Sequence, residues 1–228
     1  FMIKIRIDGH EENFPSNGDD SLLRAGLRAG FGLPYECSTG ACGTCKFELL
    51  DGEVADLWPD APGLTERDKR KDRKLACQNQ PLSDCTIKMR IDPAAVPKII
   101  PRRQAVRLVE SRSLTHDMQE FHFAGEAAAE FLPGQYALLD LPGVNGLRAY
   151  SMANLANESG DWQFHIKNMP GGAGSQALFG GAVTPGSEIE LDGPYGLAYL
   201  REAPRDIVCI AGGSGLSPMV SVARGVAA

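Results

Sequence analysis

The chain has few aromatic residues, no long apolar run and no excess of positive charge. Only 7% of its 228 residues are aromatic, and its net charge is −6 at pH 7. A negatively charged chain lacks the electrostatic attraction that nucleic-acid binding requires, so we exclude that function class. No apolar stretch approaches the roughly 20 residues of a membrane-spanning helix, so we expect no membrane association.

Features of a secreted protein are also missing. The first residues, FMIKIRIDGH, alternate like a half-buried strand and lack the apolar centre of a signal peptide. We therefore expect a cytoplasmic protein whose six cysteines are reduced thiols or metal ligands rather than disulfides. The four histidines show no ligand spacing, and His122 and His165 are expected at exposed strand positions.

Residues 1–92 have the pattern of a small mixed domain. Alternation over residues 2–7 predicts a strand, and Ser21 is a suitable N-cap for a short helix that ends near Leu27. A second alternating stretch covers 87–91. Residues 93–103 contain three prolines, which disfavour regular structure, and we interpret this segment as a linker.

Residues 104–202 contain short strand-like runs between glycine and proline turns. This spacing predicts an antiparallel barrel or sandwich, interrupted by one short helix from Ser175 to Phe179. The predicted strands are 105–110, 118–124, 135–141, 148–153, 162–168 and 187–192.

The pattern changes again over residues 203–228. A continuous apolar run at 207–211 predicts a strand buried on both faces. A glycine loop follows, and Pro218 is predicted at the first position of a helix. Strand, glycine loop and helix together form the first unit of a doubly wound nucleotide-binding domain.

Four cysteines form one spaced constellation. Cys37, Cys42 and Cys45 follow C-x4-C-x2-C, and Cys77 lies further along the chain. Plant-type [2Fe–2S] clusters use this spacing. Gly40 and Gly43 permit the tight loop that must bring three sulfurs to one cluster.

Structural zinc is the alternative for these cysteines. Zinc sites usually repeat C-x2-C or add nearby histidines, and here only one C-x2-C exists. Iron–sulfur is therefore favoured. Cys85 and Cys209 stand outside the pattern and are predicted to be small buried hydrophobic residues.

A second constellation is typical of flavin binding. Arg148-Ala149-Tyr150-Ser151 offers a cation for phosphate, an aromatic face and a hydroxyl on one predicted strand. His165-Ile166-Lys167 ends another strand, and Gly172-Ala173-Gly174-Ser175 opens a short helix whose N-terminus would attract a pyrophosphate. Each segment alone also fits an ordinary strand or flexible turn, but the series favours flavin.

The glycine loop after the apolar run favours a dinucleotide. Gly212, Gly213, Ser214 and Gly215 precede Pro218 in the strand–loop–helix context that phosphate binding needs. The order departs from G-x-G-x-x-G, so the residues by themselves leave nicotinamide binding open.

Two weaker signals lie near the cysteines. The stretch RDKRKDRK at 67–74 has six basic and two acidic residues, and is interpreted as a solvated helix face in preference to a docking site for an acidic partner. Trp58 is predicted either to cover the cysteine loop or to belong to the core.

Taken together, these motifs resemble the NADH-dependent reductases of bacterial aromatic-hydrocarbon oxygenases, within the ferredoxin–NADP⁺ reductase superfamily. The likeness is nearest to the reductases that serve toluene monooxygenases and carbazole dioxygenases. The segments that carry it are PYECSTGACGTCKFELLDGEV, LWPDAPGL, LACQ, PGQY, RAYSMAN, LDGPYGL and AGGSGLSPM.

The resemblance implies a β-grasp ferredoxin domain, a six-stranded Greek-key barrel that binds FAD, and the start of an α/β domain that binds NADH. It implies a [2Fe–2S] cluster on the four cysteines of the constellation. The positions that match the family's flavin and nicotinamide motifs are Arg148, Tyr150, Ser151, Ile166, Lys167, Gly172 and Ser175, and Gly212, Gly213, Gly215 and Pro218.

The implied function is electron transfer from NAD(P)H through FAD and the cluster to a Rieske ferredoxin or an oxygenase. No side chain is assigned as an acid–base catalyst, and a monomer is expected. A non-catalytic flavin and iron–sulfur carrier, or a reductase for another acceptor, remains open. Family members continue beyond the position of Ala228, so we expect the full-length protein to be longer.

Overall fold

The computed structural model describes residues 2–228, which divide into two compact units. The first unit ends at Pro101, and the second extends from Arg102 to Ala228. Across residues 2–228 no helix has both the length and the apolar character that crossing a bilayer demands.

The first unit is a mixed sheet with a helix packed against it. Its elements are β1 (Ile3–Ile7), β2 (Asn13–Ser16), α1 (Leu22–Arg28), β3 (Lys46–Asp51), β4 (Val54–Asp56), α2 (Glu66–Arg70), β5 (Arg73–Leu75), β6 (Asn79–Pro81) and β7 (Cys85–Lys88). Five strands form a sheet in the order β2-β1-β7-β3-β5, and β4 pairs with β6. Only β1 and β7 run parallel in that sheet, which is the β-grasp arrangement that was predicted.

Local sequence explains the start of this unit. Ile5 and Ile7 alternate with exposed residues in β1 and are completely buried. The hydroxyl of Ser21 accepts a hydrogen bond from the Arg24 amide at 3.3 Å and so caps α1. The predicted strand at 2–7 and the predicted helix from Ser21 are therefore confirmed.

Two predicted elements of this unit differ in extent. The strand predicted over 87–91 is β7, which begins earlier because Cys85 already pairs with Ile5 in β1. The basic stretch 67–74 is helical only as far as Arg70. Residues 73–75 instead add an edge strand to β3, because pairing in the sheet outweighs the helical charge pattern.

The second unit is built around an antiparallel barrel. Its elements are β8 (Arg102–Ser113), β9 (Met118–Gly125), β10 (Tyr136–Asp140), β11 (Arg148–Ser151), β12 (Asp161–Lys167), α3 (Ala173–Phe179), β13 (Glu188–Tyr195) and α4 (Leu216–Ala227). All six predicted strands of this region are present. The strand order is β11-β10-β13-β8-β9-β12, with antiparallel neighbours throughout.

The two outer strands of this sheet meet and nearly close it. Met152, directly after β11, forms an isolated antiparallel bridge with Phe164 in β12. Inside, side chains of one face of every strand pack into a single apolar core. The completely buried members of that core include Phe123, Ala129, Ala137, Leu139, Met152, Phe164 and Leu191.

The predicted buried strand at 207–211 is wrong for the described chain. No regular element covers these residues, and Val208 and Ile210 are 83% and 87% exposed. A strand buried on both faces needs paired neighbours, and residues 2–228 place no strand beside this segment. Cys209, predicted to be buried, is exposed for the same reason, whereas Cys85 is buried as predicted.

Candidate functional site

The cysteine loop is shaped by residues in the left-handed backbone region. Ser38, Gly40 and Gly43 have φ values of +55°, +85° and +76°. A loop with this many left-handed positions turns back on itself repeatedly, which keeps Cys37, Cys42 and Cys45 close together. Cys77 arrives from the 3-10 turn Ala76–Gln78 that directly follows β5.

Backbone amides of the loop point at sulfur. The amides of Thr39 and Cys42 donate to the Cys37 sulfur at 3.5 and 3.3 Å. Burial raises the pKa of the Cys37 thiol, but these amides outweigh burial, and the pKa lies below its ordinary value. The Thr44 amide donates to Cys42 at 3.5 Å. These amides therefore favour the thiolate of Cys37, the form that binds metal.

The four thiols form two interacting pairs. Cys37 contacts Cys42, and Cys45 contacts Cys77. The hydrogen bond between the second pair raises the pKa of the Cys45 thiol and lowers the pKa of the Cys77 thiol. Cys42 is also close enough to act electrostatically on both. The sequence-predicted ligands are thus brought together in one place.

This pairing bears on the choice between iron–sulfur and zinc. A structural zinc site arranges four ligands around one ion. Two pairs of thiols instead suit two irons that share four cysteines, so the donor set fits a [2Fe–2S] cluster.

The loop is buried on one side and open on the other. Cys45 and Cys77 are buried, whereas Cys42 is exposed. Trp58 lies against Gly40, where an added Cβ would be 3.1 Å from the Trp58 ring, yet its side chain is 43% exposed. Trp58 therefore covers the cysteine loop and is not a core residue.

Gly63 is a site residue that the sequence reasoning missed. Its amide donates to the Gly40 carbonyl at 2.9 Å, so the segment around it packs directly on the cysteine loop. A Cβ at Gly63 would lie 2.7 Å from both the Gly40 oxygen and the Gly43 nitrogen. The available signal was the glycine in LWPDAPGL, which the family resemblance quoted without assigning it a role.

We expect Gly63→Ala to weaken cluster retention. The new methyl group must displace backbone of the cysteine loop, which costs about 1–3 kcal/mol as overpacking. Iron content per protein and the half-life of the visible chromophore measure the effect. Gly30→Ala is the control, because its Cβ meets nothing within 4 Å, and its φ of +83°, which Gly63 does not share, adds backbone strain to the control alone. Equal iron retention in the two variants would contradict the expectation.

A buried carboxylate organises the residues beside the loop. Asp68 accepts hydrogen bonds from Lys46 Nζ at 2.8 Å, Arg73 Nη1 at 3.3 Å and the Thr65 hydroxyl at 2.6 Å. Thr65 and Asp68 also form the capping box of α2. The hydrogen bond from Lys46, followed by that from Thr65, holds the Asp68 pKa well below its ordinary value of 3.8.

Asp68 makes the first unit sensitive to acid. Because its pKa is lowered on folding, its contribution is fully present above about pH 4 and is lost as the pH falls towards the depressed value. We expect Asp68→Asn to lower the free energy of unfolding by about 1.5–3 kcal/mol at pH 7. The difference should shrink in unfolding experiments run progressively below pH 4. Asp72→Asn, whose exposed carboxylate pairs with Lys74, should show neither effect.

The predicted flavin residues line one cavity of the second unit. Its volume is about 300 Å³. Every predicted flavin position contributes to its wall: Arg148, Ala149, Tyr150, Ser151, His165, Ile166, Lys167, Gly172, Ala173, Gly174 and Ser175. β11, β12 and α3, well separated in sequence, supply these residues, so the fold assembles the series into a single concave surface.

Gly174 allows α3 to approach β11 closely. A Cβ at this position would lie 2.6 Å from the Tyr150 hydroxyl and 3.0 Å from Arg148 Cγ. Burial raises the pKa of the Tyr150 phenol, which therefore stays neutral. Arg148 Nη1 donates to carbonyls of residues 145–147 at 3.0 to 3.2 Å, which holds the guanidinium at the cavity. The cavity thus presents a cation and an aromatic ring.

The side chain of Ser175 stabilises the turn before α3 through hydrogen bonds. Its hydroxyl accepts from the Met169 amide at 3.1 Å and lies 3.0 Å from the carbonyls of Met169 and Gly172. This hydroxyl is used within the turn, so its contribution to the cavity is the shape of residues 169–175. Met169 also lines the cavity and was not predicted.

The predicted exposure of two histidines is corrected by the register of β9 and β12. His165 stands opposite Glu120 in that register and is buried, with Nε2 at 2.9 Å from Glu120 Oε2. His122 is half-buried and bonds Asp161 at 3.1 Å. The His165 Nδ1 atom is buried and finds no hydrogen-bond partner within the described chain.

The glycine loop reaches the same cavity. Gly213–Gly215 form a 3-10 turn that leads into α4. Pro218 was predicted as the first helical residue but is the third, because the helix already begins at Leu216. Ser214 and Ser217 line the flavin cavity, although Ser214 was predicted for nicotinamide and Ser217 was not predicted. Lys167, which bonds Asp117 at 3.1 Å, lies near Gly213, where an added Cβ would be 3.9 Å from its Cδ.

Two protein families match separate parts of the chain. Residues 5–82 match the 2Fe-2S iron-sulfur cluster binding domain, and residues 105–199 match the oxidoreductase FAD-binding domain. The first range contains all four cysteines of the constellation. The second contains every residue predicted to bind flavin.

Characterised relatives cover nearly the whole chain. A ferredoxin–NAD(P)⁺ reductase of Metapseudomonas resinovorans is 45% identical over 98% of the chain and 68% of its own length. The ferredoxin–NAD⁺ reductase component of an alkene monooxygenase system from Xanthobacter autotrophicus is 46% identical over 95% of the chain and 66% of its length. The chain therefore spans about two thirds of the length of these relatives.

Solved structures agree with the sequence relatives. The ferredoxin reductase in carbazole 1,9a-dioxygenase superimposes with a TM-score of 0.93 at 43% identity, over 99% of this chain and 70% of that one. The Amycolatopsis cytochrome P450 reductase gives a TM-score of 0.80 at 29% identity, over 98% of this chain and 67% of that one.

Proposed function

Since this chain belongs to the family of ferredoxin–NAD(P)⁺ reductases that act as components of oxygenase systems, we propose that it carries electrons from NADH through FAD and a [2Fe–2S] cluster to an oxygenase system. It is an oxidoreductase with a 2Fe-2S domain and an FAD-binding domain. The observation that carries the proposal is the presence in one chain of paired thiols and a flavin cavity that the glycine loop reaches.

Cys37, Cys42, Cys45 and Cys77 are proposed as the cluster ligands. Their two-pair arrangement and the amides that donate to sulfur support this assignment. Hydrogen bonds to sulfur stabilise the reduced, more negative cluster and so raise its potential. The donors placed for this role are the amides of Thr39, Cys42 and Thr44, at 3.3 to 3.5 Å from sulfur, and the side chain of Gln78, at 3.8 Å from the Cys77 sulfur.

The cavity between β11, β12 and α3 is proposed as the FAD site. Tyr150 offers an aromatic face, Ser151 a hydroxyl for the ring edge, and Arg148 a cation for phosphate. Lys167 adds a second cation, which Asp117 holds at the end of β12. The close approach of Gly174 to Tyr150 supports the assignment, because it builds the wall that a flat ring system would fill.

Residues 203–228 are proposed as the first part of the nicotinamide domain, after a ferredoxin domain of 1–92, a linker of 93–103 and a flavin domain of 104–202. Gly212, Gly213, Gly215 and Pro218 would form its dinucleotide loop. The proximity of Ser214 to the flavin cavity supports this, because hydride transfer requires the nicotinamide and the flavin to meet.

When bound in this cavity, FAD would supply two-electron hydride chemistry, and a cluster on the four cysteines would supply one-electron transfer. The protein's own contribution is orientation and exclusion of water, so no side chain is needed as a proton donor or acceptor. Ser151 would hold the ring edge by a hydrogen bond, and the buried Tyr150 would stay neutral beside it.

The electron acceptor is proposed to be a Rieske ferredoxin or a terminal oxygenase. Relatives serve naphthalene dioxygenase, alkene monooxygenase and propane monooxygenase systems, which supports an acceptor of this class. The exposed Cys42 edge of the cluster loop is the side from which an electron can leave, because Cys45 and Cys77 are buried. We further propose that the protein acts as a cytoplasmic monomer.

Visible absorbance with metal and flavin analysis tests the proposal. The purified protein should show iron–sulfur and flavin bands, contain two irons and one FAD, and lose absorbance when NADH is added. A colourless protein that contains zinc, or one that releases FMN, would contradict it. NADH oxidation with ferricyanide as acceptor separates a reductase from a carrier, since a carrier would not oxidise NADH.

A further inference from the structure

Ser217 occupies an unusual position at the start of α4. Its side chain is almost completely buried, with the residue only 2% exposed. Its hydroxyl donates to the Ser151 carbonyl at 2.7 Å and accepts from the His165 amide at 3.3 Å. One hydroxyl from a helix therefore bonds the ends of two barrel strands, β11 and β12, which lie far apart in sequence.

The two strands meet at this point through a bridge that closes the barrel. Met152 pairs with Phe164, and the Ala153 amide donates to the Gln163 carbonyl at 2.7 Å. In an antiparallel bridge of this kind, the next amide and carbonyl that face each other belong to His165 and Ser151. The Ser217 hydroxyl bonds both of these groups, so it ties helix α4 to the point where the two strands pair.

Two further side chains of α4 hold the helix, and with it the Ser217 hydroxyl, in place. Ser221 Oγ donates to the Asn154 carbonyl at 2.7 Å, and Arg224 Nη1 donates to the Ala153 carbonyl at 2.9 Å. Positions 217, 221 and 224 lie four and seven residues apart, which places them on one face of the helix. That face is thus fixed to the backbone of residues 151–154 by three separate side chains.

The hydroxyl is also part of the flavin cavity. Ser151, His165 and Ser217 all line it, as does Ser214 from the glycine loop. Ser221 and Arg224 do not line it. Among the three side chains that hold α4, Ser217 alone therefore joins the helix to the cavity wall. It comes two residues after the last glycine of the loop.

We propose that Ser217 is a positioning residue of the flavin site, which holds β11 and β12 to α4, fixes the orientation of Ser151 and links both strands to the glycine loop. The proposal rests on the proposed binding of FAD in this cavity. Without the hydroxyl, the end of β11 loses its bond to α4. Ser151 is then no longer held in its position at the cavity.

The experiment compares Ser217→Ala with Ser221→Ala. Both changes remove a buried hydroxyl bonded to a backbone carbonyl at 2.7 Å on the same helix face, so both should lower the melting temperature similarly. Only Ser217→Ala should raise the Kd for FAD, by about tenfold, as expected for loss of positioning hydrogen bonds. It should also change the visible circular dichroism of the bound flavin, which a uniform loss of stability would leave unaltered.

Ser217→Thr keeps a hydroxyl and provides the rescue. We expect its FAD affinity and flavin dichroism to stay near those of the unchanged protein, and it also serves if Ser217→Ala does not fold. Equal Kd values in the two alanine variants, or unaltered dichroism in Ser217→Ala, would overturn the assignment. An unchanged protein that binds no FAD at all would instead refute the proposed function, so the two failures are distinguishable.

Discussion

Cys77→Ser is expected to abolish the iron–sulfur chromophore and reduction of the acceptor while FAD remains bound. Cys77 is buried and contacts Cys45. A serine at this buried position cannot move towards solvent, as the side chain of an exposed ligand could. Serine is also a poor substitute for the soft thiolate that iron–sulfur clusters use. Iron content, visible absorbance and acceptor reduction are the measurements.

Cys85→Ser is the matched control for this change. Cys85 is also buried in the first unit, but its sulfur donates to the carbonyls of Ser83 and Glu53, at 3.1 and 3.4 Å, and does not belong to either thiol pair. A serine hydroxyl retains such contacts, so cluster content should be unchanged. A Cys77→Ser protein that keeps two irons and full acceptor reduction would refute the ligand assignment. Ferricyanide reduction by NADH should survive in Cys77→Ser, because that assay needs only the flavin.

Gly174→Ala is expected to weaken FAD binding roughly 5- to 150-fold, the range that corresponds to an overpacking cost of about 1–3 kcal/mol. The new methyl group would lie 2.6 Å from the Tyr150 hydroxyl and 3.0 Å from Arg148 Cγ. The rigid Tyr150 ring must therefore move away from α3, which displaces the aromatic face that is proposed to contact the flavin. Titration of the flavin-free protein with FAD, followed by flavin fluorescence, measures the Kd.

Gly171→Ala separates this steric effect from backbone strain. Gly171 belongs to the same turn and has a φ of +73°, but an added Cβ meets nothing within 4 Å. Alanine there should cost about 1–2 kcal/mol of stability for its left-handed backbone. FAD affinity should stay nearly constant. Equal loss of affinity in both variants would show that the turn, and not Tyr150, governs binding.

The barrel strands and the types of ligand were predicted from local sequence patterns. The six runs between residues 105 and 192 are strands in the structure because alternation and turn residues act within a few positions. The cysteine spacing and the R-x-Y-S series identified chemistry for the same reason, since each motif is contiguous or nearly so. The family comparisons confirm the resemblance on which the cofactors were expected.

Predictions failed where distant partners decide the outcome. His165 was expected to be exposed, yet Glu120 stands opposite it and helix α4 packs on the same strand. Residues 207–211 were expected to be a buried strand, but an apolar run becomes one only when neighbouring strands pair with it. Gly63 and Ser217 lie in segments that carry the family resemblance, but neither was assigned a role, since their importance lies in the backbone atoms they touch.

Local motifs identify the chemical groups that could bind cofactors. These are four cysteines at plant-type spacing, a cation, an aromatic ring and a hydroxyl on one strand, and a glycine loop before a helix. Three features became visible only in the folded chain. These are the pairing of the thiols, the face of the cysteine loop that is exposed to solvent, and the cavity that β11, β12, α3 and α4 share. The reason is physical: spacing along the chain limits what can be close, whereas strand register and helix docking fix which atoms are in contact.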